Sequence, residues 1–206
     1  MAQYNRKDHL HQRAKKEGLR SRAAYKLMEV QKSNALLSKG QRVFDLGCWP
    51  GGWLEVAAGL VGPGGRVVGV DCAEVDPEIP LVQVETLVGD LTAADIVDRL
   101  RESLGADRAD VVLSDAAPKL TGIRETDRAN EERLLEAIEG LLPQLLRVGG
   151  SLLIKILEGP EAQRIDRRMR AGFDRAKTLK LQSTRKGSSE RYLIARGYRG
   201  DVTPIR

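Results

Sequence analysis

The sequence is short of cysteine, of aromatic residues and of long apolar runs, and each shortage closes a class of explanation. Two cysteines among 206 residues, Cys48 and Cys72, are too few for a disulfide framework and have no metal-ligand spacing. His9 and His11 form an H-x-H pair, but no carboxylate or cysteine cluster completes a site around them, so no metal is expected. No apolar stretch approaches the roughly 18 residues that a bilayer-crossing helix needs, which argues against a membrane partner. The opening MAQYNRKDHLHQ lacks the hydrophobic core of a secretory leader, so the expected location is the cytoplasm. What is present is ordinary for a globular chain: 41% hydrophobic residues, 31% charged residues and 21 glycines with no low-complexity tract. The length suits one core. We expect a monomer in which residues 1–20 form a basic extension and 21–206 a single domain.

The formal charge of +5 is unevenly spread. Residues 1–26 carry a net +6, residues 27–161 a net −10 and residues 162–206 a net +9. Basic ends around an acidic middle are the footprint of a polyanion partner more often than of a merely solvated surface. With aromatics at 4%, stacking on exposed rings would add little to nucleic-acid binding, and contacts to phosphate would carry more.

The middle of the chain alternates strand and helix signals. Apolar runs at Gln41–Leu46, Arg66–Val70, Ala109–Leu113 and Ser151–Ile156 read as strands, with a weaker one at Leu81–Val84. Helices are expected over Gly52–Leu60, Ala93–Leu104, Glu131–Leu146 and Arg164–Gly172. Lys177–Leu181 and Arg191–Ala195 are then close enough to pair as an antiparallel hairpin. Repeated β-α-β units predict a mostly parallel sheet with helices on both faces.

In such sheets ligands bind beyond the carboxyl ends of the strands, and the motifs sit there. The first strand runs into Asp45-Leu46-Gly47-Cys48-Trp49-Pro50-Gly51-Gly52-Trp53, a glycine turn that admits a ligand to the backbone and opens onto a helix N-terminus. Its spacing, G-x-x-x-G-G, is not the G-x-G-x-x-G of dinucleotide enzymes, which weakens a nicotinamide reading. Asp71 ends the second strand, where a carboxylate can accept both hydroxyls of a ribose, and Asp90 follows Val88-Gly89 after the third. Taken singly the turn could be structural and Asp71 a helix cap. Together they describe a nucleoside pocket.

The run D-L-G-x-x-P-G-G-W, with an acid ending the second strand and G-D after the third, resembles S-adenosylmethionine-dependent methyltransferases. Ser21-Arg22-Ala23-Ala24-Tyr25-Lys26-Leu27, Ser114-Asp115-Ala116-Ala117-Pro118, Leu153-Ile154-Lys155-Ile156 and Ser188-Ser189-Glu190-Arg191-Tyr192 stand in the order found in the FtsJ family of RNA ribose 2′-O-methyltransferases. This resemblance, over about residues 12–198, implies an α/β, Rossmann-like methyltransferase fold with a seven-stranded sheet. It also implies S-adenosyl-L-methionine as cofactor, with Asp45, Gly47, Pro50, Gly51, Gly52, Trp53, Asp71, Asp90 and Asp115 around it. A catalytic Lys-Asp-Lys-Glu tetrad falls on Lys26, Asp115, Lys155 and Glu190. Gly18-Leu19-Arg20-Ser21-Arg22-Ala23 is most similar to bacterial-type enzymes that methylate a uridine of large-subunit ribosomal RNA, free or within the assembled subunit. Transfer RNA, messenger-RNA caps and a non-catalytic RNA-binding role are the alternatives. The chain departs from the family's small residues at Cys48-Trp49 and in Lys119-Leu120.

The tetrad suits the chemistry. A sulfonium methyl is already electrophilic, so the enzyme has to align a ribose hydroxyl and manage its proton. Lys155 sits in an apolar strand, where burial favours a neutral amine, whereas Asp115 and Glu190 favour the ammonium; sequence leaves open whether it is base or oriented cation. Lys26 flanks an apolar helical stripe of Ala24, Leu27, Met28 and Ala35 as many surface lysines do, and spacing alone would not select it. Ser-Asp-Ala-Ala-Pro carries no stacking ring, which favours an oxygen over a base nitrogen as target. If Lys26 and Glu190 share a site, the basic ends converge on it. Arg6, Lys7, Arg13, Lys15, Lys16, Arg20 and Arg22 would then join Arg164, Arg167, Arg168, Lys186 and Arg191 on one RNA-binding surface.

Overall fold

Four runs of apolar and β-branched residues become the centre of a seven-stranded sheet in a computed structural model describing residues 9–118, 121–156, 159–185 and 187–200. The strands are β1 (Arg42–Leu46), β2 (Arg66–Asp71), β3 (Val84–Val88), β4 (Ala109–Ser114), β5 (Leu146–Ile156), β6 (Phe173–Leu179) and β7 (Arg191–Tyr198). Their order is β3-β2-β1-β4-β5-β7-β6. All pairings from β3 to β5 are parallel, and β7 runs antiparallel to both its neighbours. The expected hairpin is present, with β7 inserted between β5 and β6.

The helices are α1 (His9–Lys16), α2 (Ala24–Asn34), α3 (Gly52–Val61), α4 (Ile96–Leu104), α5 (Arg124–Leu145) and α6 (Pro160–Ala171). Alternate strand residues feed two cores. Leu46, Val70, Val112 and Leu152 pack with α4, α5 and α6, while Val43, Val67, Val111 and Leu153 pack with α2 and α3. Strands buried on both faces read as continuous apolar runs, which is why β1, β2, β4 and β5 are visible in the sequence.

Several boundaries differ from expectation. The third strand is Val84–Val88, not Leu81–Val84: Leu81 and Val82 are exposed, and the Val84 N–H bonds back to the Leu81 carbonyl in a turn. Helix α5 starts at Arg124, seven residues before the expected Glu131, within a polar stretch that has no apolar period. Its start is organised by Asp127, whose carboxylate accepts the N–H groups of Thr121 (2.6 Å) and Gly122 (3.2 Å) and the Thr121 hydroxyl (2.8 Å). Strand β5 begins at Leu146 and continues through Gly149-Gly150, where the sequence suggests a helix stop. On α2 the apolar stripe is Ala24, Leu27 and Val30, whereas Met28 is 40% exposed and Ala35 is the left-handed cap. Lys26, placed at the flank by spacing, is buried.

Candidate active site

A cavity of about 590 Å³ opens beyond the carboxyl ends of β1, β2 and β4, lined among others by Gly47, Asp71, Asp90 and Asp115. The backbone shape there depends on glycine at one position above all. Gly47 has φ +84° and lies against the turn after β4, so that a Cβ would stand 2.4 Å from the Ala116 Cβ and 2.7 Å from its Cα. Neither atom can swing away as a side-chain tip would. The N–H groups of Gly47 and Cys48 both bond the Val70 carbonyl, at 2.8 and 3.1 Å, which ties the turn to β2.

Asp71 holds the same turn from the other side. Its Oδ2 accepts the Trp49 N–H and its Oδ1 the Ala73 N–H, each at 3.0 Å. Asp90 Oδ1 accepts the Thr92 N–H (2.8 Å) and hydroxyl (2.7 Å), and the backbone bond, then the hydroxyl bond, hold its carboxyl below the ordinary range. Trp49 is 58% exposed at the cavity wall, which Cys72 also lines. Neither is assigned to the site by the sequence motifs.

The remaining turn residues lie behind the cavity wall. Gly51 packs toward Arg20, Val75 and Ile79, and a Cβ on Gly52 would come within 2.2 Å of the Ser21 hydroxyl. Pro50 belongs to the same bend, between Trp49 and Gly51. Trp53 is buried, donates its indole N–H to the Ala23 carbonyl (2.8 Å) and stands 6.0 Å from the Tyr192 ring. It therefore fixes α2 against α3 and β7. Asp45 is 1% exposed, and its Oδ2 has no hydrogen-bond partner among the described residues. Burial, reinforced by the charges of Asp115 and Asp71, pushes its carboxyl well above the usual value. An acid raised in the folded state adds stability below its ordinary pKa and loses it as pH rises through the folded one. Asp45→Asn should accordingly melt later than the parent at alkaline pH, by about 1–3 kcal/mol, with the difference vanishing toward acid. Parallel melting curves across pH would contradict this.

Asp115 connects the cavity to a cluster assembled from four segments. Lys26 comes from α2, Asp115 from the end of β4, Lys155 from β5 and Glu190 from the residue before β7. Lys155 Nζ donates to the Asp115 carbonyl (2.6 Å) and stands 3.1 Å from its Oδ1. Lys26 Nζ lies 3.2 Å from Asp115 Oδ2 and also donates to Glu190 Oε1. All four side chains are 10–16% exposed. Burial alone would raise the Asp115 pKa, but the ammonium groups of Lys155 and Lys26 and the Tyr192 hydroxyl together hold it below its ordinary value.

Sequence reading missed Tyr192 as a member. Its hydroxyl donates to Asp115 Oδ1 (2.6 Å) and is also bonded to Glu190 Oε1, bridging the two acids, while the Lys26 ammonium lies 5.5 Å from its ring centre. Burial and the adjacent carboxylates push the phenol far upward, so it stays a donor. The available signal was an aromatic at a fixed place in Glu190-Arg191-Tyr192, two residues from the acid.

The basic ends meet only in part. Arg22 donates to the Ser183 carbonyl (2.6 Å), and Arg20 to Glu55 and the Glu78 carbonyl, which joins the N-terminal segment to the α3 side of the sheet. Helix α6, however, packs on the opposite face beside α5. There Arg164 is paired with Glu132, and Arg168 with Glu136 and Glu139. These arginines hold two helices together and do not join the surface around Lys26. Arg6, Lys7 and Lys186 lie outside the described residues.

Residues 19–198 match the family model of FtsJ-like methyltransferases. The ribosomal RNA large subunit methyltransferase E of Methanothermobacter thermautotrophicus is 41% identical over 195 residues, 95% of this chain and 92% of that one. Its namesake from Pseudomonas paraeruginosa is 38% identical over 190 residues, 91% and 89% of the two chains. Among solved structures, a protein assigned as a ribosomal RNA methyltransferase from Plasmodium falciparum superposes with a TM-score of 0.76 at 28% identity. It covers 88% of this chain and 100% of its own. Aeropyrum pernix fibrillarin, crystallised with S-adenosyl-L-methionine, shares the fold with a TM-score of 0.61 at 18% identity, over 84% of this chain and 75% of that one.

Proposed function

The chain belongs to the FtsJ-like methyltransferase family, and on that premise we propose that it transfers a methyl group from S-adenosyl-L-methionine to a ribose 2′-hydroxyl of RNA. The target we favour is a uridine of large-subunit ribosomal RNA. The names of the two relatives support the RNA, and the Gly18–Ala23 segment supports the nucleotide. One observation carries the chemistry: four ionisable residues from four segments form one bonded cluster whose central member, Asp115, also lines the large cavity.

The cavity suits the cofactor. Its volume of about 590 Å³ lies within the range of small-molecule pockets. Each Asp71 oxygen accepts one backbone N–H, and a carboxylate oxygen has a second lone pair for a ribose hydroxyl. Gly47 lets the turn after β1 lie directly against Ala116, and both residues line the cavity. When bound, S-adenosylmethionine supplies an electrophilic methyl group. Asp71→Ala should weaken its binding roughly ten- to a hundredfold, the worth of charge-assisted bonds of about 1.5–3 kcal/mol, and an unchanged dissociation constant by calorimetry would remove Asp71 from the site.

The protein's own residues handle the hydroxyl. Asp115, kept ionised by two ammonium groups, anchors Lys155 Nζ through its carbonyl and its carboxylate. An oriented donor at that place stabilises the negative charge that builds on the ribose oxygen, whose proton passes to solvent water. Lys26, Glu190 and Tyr192 hold Asp115 in position, and Glu190 offsets the second lysine's charge. Incubation with S-adenosylmethionine and unmodified large-subunit RNA, then mass-spectrometric mapping, should reveal a new 2′-O-methyl uridine. A methyl group found on a base would overturn the reading.

A further inference from the structure

A second concave site lies on the α2 face of the sheet, away from the cofactor cavity. It occupies about 370 Å³ between the C-terminal end of α2 and strands β6 and β7, and is lined by Ser33, Asn34, Arg175, Lys177, Ile194 and Arg196. Among the described residues that line it, three are cationic and none is acidic.

The register makes the charge arrangement unusual. Arg175 stands directly opposite Arg196, and Lys177 opposite Ile194, in the antiparallel β6-β7 pair. Like charges facing each other across a ladder destabilise it unless something negative lies between them. Arg196 is partly committed, since its guanidinium donates to the Asn34 carbonyl and, at 3.0 Å, to the Ala35 carbonyl. Those bonds cap the last carbonyls of α2 and offset the negative end of the helix dipole, which would otherwise repel an anion. Arg175 and Lys177 are exposed and have no carboxylate partner among the described residues. Other arginines of this chain, such as Arg147 with Asp110 and Arg199 with Asp174, do have one.

The position relates this basic site to the catalytic cluster. Tyr192 and Ile194 belong to the α2-side core, and Arg196 continues the same alternation on β7. Four residues of strand put Arg196 about 14 Å from Tyr192. An RNA strand with its ribose at Lys155 reaches that far within a few nucleotides.

We propose that the groove of Arg175, Lys177 and Arg196 is an RNA phosphate subsite, which holds the backbone a few nucleotides from the methylated ribose. Arg175 and Lys177 make the phosphate contacts, and Arg196 contributes charge while capping α2. The inference rests on the RNA methyltransferase reading above and goes beyond it in naming where the substrate is held. It also replaces the α6 arginines with a different C-terminal set.

The test compares Arg175→Ala, Lys177→Ala and their double variant with Arg167→Ala, which removes an exposed arginine from α6 on the opposite face. Binding of the target RNA segment is titrated at several salt concentrations, with S-adenosylmethionine affinity and melting temperature measured alongside. Each phosphate contact contributes roughly 0.7–0.9 to the slope of log affinity against log salt. The double variant should flatten that slope by about 1.5, and Arg167→Ala should leave it unchanged. All variants should retain cofactor affinity and melt no lower than the parent, and the variants that lack Arg175 slightly higher. A parental slope in the double variant, or equal flattening by Arg167→Ala, would overturn the subsite. A parent protein that leaves RNA riboses unmethylated would overturn the functional reading instead, whatever the slopes.

Discussion

Lys155→Ala should all but abolish methyl transfer, with a rate loss of about 10²–10⁴, while S-adenosylmethionine binds with little change. The magnitude is that of removing a preorganised donor or proton-handling group from a reacting oxygen. The selectivity follows from position. Lys155 bonds to Asp115 but is not part of the lining of the large cavity, so the cofactor loses no partner when the side chain is truncated. The fold should also survive, because Asp115 keeps Lys26 and the Tyr192 hydroxyl as partners. Transfer of radiolabelled methyl to RNA measures the first effect and titration calorimetry the second. Transfer at a near-parental rate would remove Lys155 from the reaction. Equal losses in rate and cofactor affinity would reassign it to the cofactor site.

What sequence could reveal here follows the physics of burial. A strand covered on both faces must be apolar throughout, and β1, β2, β4 and β5 stand out for that reason. Strand β3 is an edge strand with partly exposed Glu85 and Thr86, so the apolar signal moved to Leu81 and Val82, which are in fact exposed. Asp71 and Asp90 stand out in sequence as acids at strand ends and both line the cavity, although each also accepts bonds from its own turn. Lys26 does not stand out, since helical periodicity carries no information about which lysine finds two carboxylates 89 and 164 residues away. Family resemblance supplied that position where periodicity could not. Tyr192 was overlooked for a related reason: an aromatic residue in a strand reads as core, and its ring is core, while its hydroxyl serves the site. The arginines of α6 show the reverse error. A basic run looks like a surface for polyanions until the acids of a neighbouring helix are seen to face it.

Asp115→Asn should have the largest effect on stability of any conservative change in the site. The substitution keeps the shape but removes the charge that Lys26 and Lys155 share, which leaves Lys26 with Glu190 and Lys155 with no carboxylate partner among the described residues. Breaking a buried ion pair by neutralising one partner costs about 3–5 kcal/mol. At roughly 2–4 °C per kcal/mol for a domain of this size, the melting temperature should fall by about 6–20 °C near neutral pH. The pH dependence provides a sharper check, because the Asp115 pKa is held below its ordinary value of 3.8. An acid lowered in the folded state contributes stability that is present above its ordinary pKa and is lost as pH falls through the folded value. The gap between parent and Asp115→Asn should therefore be constant from about pH 5 upward and close in acid, with the variant the less stable protein, whereas Asp45→Asn is the more stable one. Melting curves from about pH 3 to about pH 8 distinguish the two. A gap that persists undiminished at the acid end would mean that the asparagine amide disrupts packing, and that the charge of Asp115 is not what holds the lysines in place.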